Sequence, residues 1–316
     1  MSKSGRIAVV RRFGPPEVIA VEEHVAPPVG PGQVRVAVRT GGLNPVDARL
    51  RSGTFGGSVP MALGTEFAGV VVESREPSWA AGDEVIGWGV QGADADLVTT
   101  DAGRLHAKPA GLDWALAGGL GGVGSTAVTA LDAISLAPGS VIVVHGAAGG
   151  VGTVLVQLAV ARGLVVIGTG GPNNQEHLLR LGANAVEYGP GLAARISAAA
   201  SGRPLAASID LAGSAEAGEA AVSVVAAGGQ AITLVPETMA SHGVRLVRVQ
   251  RSSATMTALL DAVADGTLDL PVQTLALTEI VEAHRRLDAK HARGKLVLDL
   301  SDNPHLPASV ASAKDA

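Results

Sequence analysis

Short alternating or apolar runs, broken by Pro and Gly, dominate the first 110 residues. They include Val34-Arg-Val-Ala-Val-Arg39, Phe67-Ala-Gly-Val-Val-Val72 and Glu84-Val-Ile-Gly87. Strict alternation predicts a half-buried strand for the first run, and the others read as further short strands. Pro15-Pro16, Pro27-Pro28, Pro31-Gly32 and Ala81-Gly-Asp83 mark turns between them. This region predicts a small, barrel-like β domain.

From about Leu112 the pattern changes to β-branched runs alternating with helix-patterned segments. Strands are expected at 141–145, 164–169, 185–188, 206–211, 230–235 and 243–249, and helices at 174–181, 192–200 and 215–226. Gly163 and Gly182 read as helix stops. Six strands with crossovers predict an α/β fold built on a doubly wound parallel sheet. The sixth strand, Val244–Val249, is expected at one edge after a short non-helical link. Beyond it, Ala254–Ala264 reads as a helix ended by Asp265-Gly266, and Thr278–Leu287 as a helix capped by Thr278. Lys295–Leu300 reads as a final strand, and the polar tail from Ser301 is expected to fray.

The stretch Val141-Ile-Val-Val-His145-Gly-Ala-Ala-Gly-Gly-Val-Gly152 joins a strand to a helix-patterned segment through a glycine-rich turn. A dinucleotide site needs that order. The glycines let the backbone approach a pyrophosphate, and the helix start offers N–H groups and a positive dipole end. A second cluster, Gly119-Leu-Gly121-Gly122-Val-Gly124, is a literal G-x-G-x-x-G, but no strand feeds it. The segment before it, Asp113-Trp-Ala-Leu-Ala117, reads as a capped helix start. The phosphate contacts are therefore assigned to Gly149, Gly150, Val151 and Gly152, with His145 serving the loop structurally.

Composition narrows the chemistry. The chain is 316 residues long, 47% hydrophobic and only 2% aromatic, so Val, Leu, Ile and Ala must fill its core. A net charge of −5 leaves no basic footprint for nucleic acid. No uninterrupted apolar run approaches the roughly 20 residues of a membrane span, and Met-Ser-Lys-Ser-Gly-Arg lacks a signal peptide's apolar core. A cytoplasmic protein is expected. The absence of Cys removes thiolate chemistry and sulfur-ligated zinc. Of the eight His residues only His284 and His291 lie close in sequence, at a spacing unlike a ligand pair and expected on an exposed helix, so no metal site is expected.

The order of motifs resembles the medium-chain dehydrogenase/reductase superfamily, in its zinc-independent quinone oxidoreductase and enoyl reductase branch. The pieces are Asn44-Pro-Val-Asp47, Leu63-Gly-Thr-Glu-Phe-Ala-Gly-Val-Val71, Gly82-Asp-Glu-Val85, Ser125-Thr-Ala127, the 146–152 turn, Leu181-Gly-Ala183, Gly228-Gly229 and Arg293-Gly-Lys295. Thr65-Glu66 stands where zinc-dependent relatives commonly carry His-Glu. The resemblance implies a GroES-like catalytic domain made from residues 1–115 and 252–316, with a Rossmann domain over 116–251 inserted. It also implies a cofactor cleft and a homodimer paired through the nucleotide domain's edge strand.

The resemblance places Asn44 and Thr126 near the nicotinamide. It puts Arg49 where many relatives carry Tyr, so Asn44 and Arg49 are the catalytic candidates, Arg49 to polarise a substrate carbonyl. Asp47 reads as a helix cap. Ala148, Gly170, Gly171, Leu211, Leu234 and Lys295 join the cofactor set. The second strand ends Ile167-Gly-Thr-Gly-Gly171, without the carboxylate an NAD site uses, which favours NADPH. Residues 163–179 contain no Lys or Arg to meet a 2′-phosphate, so Asn173, Asn174, Gln175 and Tyr188 are its candidate hydrogen-bond donors. The expected activity is NADPH-dependent, zinc-independent hydride transfer to a quinone or α,β-unsaturated carbonyl. The alternatives are a nucleotide-binding relative without redox turnover and an enoyl-thioester reductase.

Overall fold

The structure is a computed structural model that describes residues 3–289 and 293–312. The chain divides into two compact units, Met1–Gly122 with Val272–Ala316, and Val123–Pro271. In chain order the first unit holds β1 (Ser4–Val10), β2 (Ile19–Val25), β3 (Gln33–Leu43), α1 (Pro45–Ser52), β4 (Met61–Ala62), β5 (Glu66–Ser74), β6 (Glu84–Trp88), β7 (Leu97–Asp101) and β8 (Leu105–Ala107). Helix α2 (Trp114–Asp132) runs through the boundary. The second unit adds β9 (Val141–His145), α3 (Gly150–Ala161), β10 (Val165–Gly170), α4 (Gln175–Arg180), β11 (Asn184–Glu187), α5 (Leu192–Ala200), β12 (Leu205–Asp210), α6 (Ala215–Ser223), β13 (Gln230–Thr233), α7 (Pro236–His242), β14 (Arg245–Leu246) and α8 (Ser253–Ala264). The chain then returns to the first unit with β15 (Val272–Ala276), α9 (Ile280–Ala289), β16 (Lys295–Asp299) and α10 (Ala308–Ala311).

In the first unit β15-β16-β3-β5-β6-β8 form one sheet, with β7 also on β3, and β2-β1-β4 form a smaller one. Strand β3 is not half-buried as its alternation predicts. Everything from Val34 to Leu43 is buried, because partners flank it on both sides. The two arginines in it are buried with their charges met. Arg35 bonds Glu73 at 2.6 Å and the Pro27 carbonyl at 2.5 Å, and Arg39 bonds Asp299. Val36, Val38, Phe67, Val85, Ile280 and Leu298 belong to the core between these elements.

Other expectations for this unit need correction. His284 is not on an exposed face. It is fully buried, with Nδ1 3.3 Å from Arg51 Nη1, while His291 lies outside the described residues. Helix α9 starts at Ile280, after a 3-10 turn in which Glu279, not Thr278, accepts the Ala276 N–H. The tail does not fray from Ser301. Asn303 is buried and donates to the Val38 and Asp96 carbonyls, and α10 follows. Side-chain amides at a strand end can dock a tail that composition alone reads as loose.

In the second unit β11-β10-β9-β12-β13-β14 make an all-parallel sheet. Gly163 and Gly182 end helices at φ 76° and 89°. The link before the sixth strand is helical, not extended. Pro236 stands at a first-turn position of α7, where its missing N–H costs nothing, and Gly243 stops the helix at φ 66°. The sixth strand shrinks to Arg245–Leu246, at the sheet edge. Residues 252–271 pack with this unit, because Gln157 bonds both the N–H and the carbonyl of Asp269 and Leu259 lies against Gly124. Helix α2 is long and apolar enough to cross a membrane by length and composition only, and most of it is buried within the protein, as in a core helix.

Candidate active site

The parallel sheet of the second unit carries the glycine turn. Strand β9 ends at His145, Gly146 turns at φ 74°, and Gly149 precedes α3 without any side-chain cap. The two glycines at 149 and 152 do different jobs. A Cβ on Gly152 would lie 2.5 Å from the Gly146 carbonyl and 2.6 Å from the Ala147 backbone, so helix and turn touch there. A Cβ on Gly149 would meet only the Gly146 carbonyl, at 3.6 Å, and would project into open space. That open cradle lies before an uncapped helix start, which fits a pyrophosphate. Thr169 holds the turn from β10, its Oγ1 3.3 Å from Gly146 N and its carbonyl 3.0 Å from Ala147 N.

Except for Asn44, Thr126 and Lys295, the remaining residues expected to hold the cofactor collect at the carboxyl ends of the same strands. Ala148 to Gly152 follow β9, and Gly170, Gly171, Asn173 and Gln175 follow β10. Tyr188 follows β11, Leu211 follows β12 and Leu234 follows β13. Sheets of this type bind ligands at that edge, where strand order reverses between β9 and β12. Gln175 is less free than expected, for its Nε2 donates to the Gly170 and Gly171 carbonyls at 3.0 and 3.1 Å. Tyr188 is half-exposed, with its hydroxyl beside Gly171. Thr126 lies partly exposed on α2.

Two polar residues of this edge escaped the sequence reading. Asp210 is fully buried and accepts four bonds, from Ala212 N and Gly213 N at 3.0 Å, Thr233 Oγ1 at 2.9 Å and Thr238 Oγ1 at 2.6 Å. It shapes the loop that carries Leu211. Arg195 donates to the carbonyls of Glu187, Gly189 and Pro190, and so shapes the loop that carries Tyr188. His145 opposes Asp210 across the β9–β12 pair, but neither ring nitrogen has a hydrogen-bond partner among the described residues. Burial pushes its pKa down to about 4, only partly offset by Asp210, so the ring is neutral.

The first unit has a charged cluster of its own. Asn44 directly follows β3, Glu66 opens β5 and Lys295 opens β16, and both partner strands flank β3. Lys295 does not reach the surface. Its ammonium bonds the Leu43 carbonyl at 2.9 Å, Asn44 Oδ1 at 2.6 Å and Glu66 Oε1 at 2.7 Å. Asn44 Nδ2 donates to the same Glu66 oxygen at 2.8 Å. Asp47 caps the α1 start as expected, from its third position, by accepting Asn44 N at 2.7 Å. Burial pushes Asp47 up to about 7, and it pushes the nearby Asp94, whose two oxygens have no hydrogen-bond partner among the described residues, well above the carboxylate range. Arg49 is on α1 and partly exposed.

The second glycine cluster acquires its reason here. It is wholly helical, within α2. A Cβ on Gly119 would strike Lys295 and Val297 at 2.8 Å, and one on Gly122 would press Asn44 Oδ1 and a Glu66 oxygen at 3.0 Å. The glycines let α2 lie against the charged cluster, and Glu66 Oε2 accepts Gly122 N at 2.5 Å.

Two family models match the chain. The alcohol dehydrogenase GroES-like domain covers residues 30–139, and the zinc-binding dehydrogenase domain covers residues 181–298. The chain belongs to the medium-chain dehydrogenase/reductase superfamily. Within that superfamily it is similar to the quinone oxidoreductase of Sus scrofa, 34% identical over 177 residues that make up 54% of each protein. The chain thus matches about half the length of that enzyme. It is 41% identical over 164 residues, 51% of its length, to the pikromycin polyketide synthase component PikAII of Streptomyces venezuelae, of which this is 4%. Among solved structures, the quinone oxidoreductase of Coxiella burnetii superposes with a TM-score of 0.85 at 26% identity, covering 94% of this chain and 100% of that one. A mycobacterial protein complexed with NADPH superposes at 0.84 and 24% identity, covering 93% and 99%. Among the described residues no group of three or more His, Asp or Glu side chains is placed to hold a metal.

Proposed function

We propose that the protein is an NADPH-dependent, zinc-independent oxidoreductase that reduces a quinone or an α,β-unsaturated carbonyl compound. The observation that carries this reading is the open cradle at Gly149 before the uncapped start of α3. The likeness to quinone oxidoreductases and to a structure complexed with NADPH supports it. The absence of any Cys supports a reaction without sulfur-ligated zinc.

In this reading the N–H groups of Gly150, Val151 and Gly152 face the pyrophosphate, and Asn173, Gln175 and Tyr188 border the 2′-phosphate. Asn44 and Thr126 hold the carboxamide end. The bound dinucleotide supplies a hydride, which is the cofactor's own chemistry. Arg49 stabilises the negative charge that develops on the acceptor oxygen. The proton that completes the quinol or saturated ketone comes from solvent, since Asp47 and Asp94 are fully buried. The protein would work in the cytoplasm, as a homodimer paired through the exposed side of β14.

The test is stopped-flow oxidation at 340 nm (the nicotinamide band) with NADPH or NADH and a panel of quinones, enones and enoyl thioesters. Rapid oxidation with a quinone or enone is expected. No oxidation with any acceptor would remove the redox reading and leave a nucleotide-binding protein. Preference for the thioester would favour the second substrate class, which the likeness to the polyketide synthase component supports.

A further inference from the structure

Glu66 and Lys295 are each 2% exposed, whereas Asn44 is partly exposed, so the Asn44 amide is the outward end of a buried ion pair. Its two polar atoms are held differently. Nδ2 donates to the Glu66 carboxylate at 2.8 Å, and Oδ1 accepts from the Lys295 ammonium at 2.6 Å. A carboxylate only accepts and an ammonium only donates. A half-turn of the amide would set oxygen against carboxylate and NH2 against ammonium, and would lose both charge-assisted bonds. An Asn amide seldom has so strong a reason to face one way.

The brace is itself anchored. The third ammonium hydrogen goes to the Leu43 carbonyl at 2.9 Å, and the second Glu66 oxygen takes Gly122 N at 2.5 Å. The pair is thereby tied to the end of β3 and to α2. Among the described residues Asn44 Nδ2 makes one hydrogen bond, to Glu66, so its second amide hydrogen can meet a ligand.

We propose that Glu66 and Lys295 are positioning residues for hydride transfer, holding the Asn44 amide in the one orientation that leaves an Nδ2 hydrogen for a nicotinamide carboxamide. This rests on the reductase reading above. Neither residue touches substrate. They act through Asn44 by fixing which polar atom it presents, and with it the ring orientation.

The test compares wild type, Glu66→Gln and Lys295→Met. In nitrogen-15 spectra of the nucleotide-free protein, the wild-type Asn44 amide protons should exchange slowly. In each variant they should exchange at least about tenfold faster, as expected for a lost buried hydrogen bond. NADPH affinity, read by fluorescence, should stay within about threefold, while kcat falls by about 30-fold, the pattern of a misplaced reacting group rather than of lost binding. Transfer from NADPH deuterated on one or the other ring face should become mixed.

Turnover and face selectivity equal to wild type in a folded variant would overturn the proposal and leave the reductase reading standing. A wild type inactive with every acceptor would overturn both. Should Lys295→Met fail to fold, Glu66→Gln, which keeps size and one acceptor oxygen, decides by the same readouts.

Discussion

Lys295 Nζ lies 2.7 Å from Glu66 Oε1, with both side chains almost wholly buried. Such a pair contributes little net stability when intact, because desolvation offsets attraction, but it is costly to break. Lys295→Met leaves a carboxylate buried without its cation, and is expected to destabilise the protein by about 3–5 kcal/mol. The double variant Glu66→Gln with Lys295→Met should recover part of that loss. Urea unfolding of the three proteins measures both effects, and additive losses would contradict the pairing.

The glycine turn separates binding from folding. Gly149→Ala adds a methyl to open space, so the melting temperature should hold while NADPH affinity falls by about tenfold or more, as the methyl obstructs the phosphate approach. Gly152→Ala forces a methyl to 2.5 Å from the Gly146 carbonyl, and should cost about 1–3 kcal/mol of stability, as overpacking does. Calorimetry and fluorescence titration on the two variants check this. Equal behaviour would show that the turn is not divided in this way.

Stability should fall on both sides of a maximum in pH. Asp47 rises from an ordinary value of 3.8 to about 7, chiefly through burial. The folded protein therefore keeps a proton that the unfolded chain has released, and stability drops as pH climbs from about 4 to about 7. Asp94 is raised in the same sense, by burial and then by Asp47 and Glu66, against Lys295. His145 acts oppositely, lowered from 6.5 to about 4, so stability is lost as pH falls through that window. Burial, with Arg51 adding to it, lowers His284 likewise, to about 3. Above pH 6.5 only the two acids remain, and Asp94→Asn should flatten the alkaline decline. Urea midpoints at several pH values give the curves, and parallel curves for variant and wild type would refute the assignment.

Residues 171–175, between β10 and the body of α4, include no Lys or Arg. Gln175 spends its amide on the Gly170 and Gly171 carbonyls. Gln175→Lys should place an ammonium there and tighten NADPH relative to NADH by about tenfold, more at low salt than at high salt. Titrations with both dinucleotides at two ionic strengths test it. An equal change for both would mean that the loop does not meet the 2′-phosphate.

The strand-turn-helix unit was readable in the chain because its signals are local. Val141–His145, the glycines after it and the helix that follows stand within 21 residues of one another, and α2 was recognised through Asp113, which accepts Leu116 N at 2.8 Å. The misreadings fall where local signals are weak or answer to distant partners. Helix α7 is seven residues long, too short for a clear period. Arg35 and Arg39 look solvent-facing until Glu73 and Asp299 are set beside them. Asp210 is an ordinary strand-end carboxylate until four donors converge on it.

Residue spacing was enough for the strand-turn-helix unit and the alternation of strands and helices, since period, turn chemistry and helix stops depend on neighbours a few positions away. The charged cluster required the tertiary structure. Asn44 and Glu66 are 22 positions apart and Lys295 is 251 from Asn44, and they meet because β5 and β16 both lie antiparallel to β3. Strand pairing sets that register through burial of one face and backbone hydrogen bonds, not through any property of the three residues in isolation. The same pairing gave the glycines of α2 their purpose, because only a helix without side chains on that face can lie on Lys295, Glu66 and Asn44.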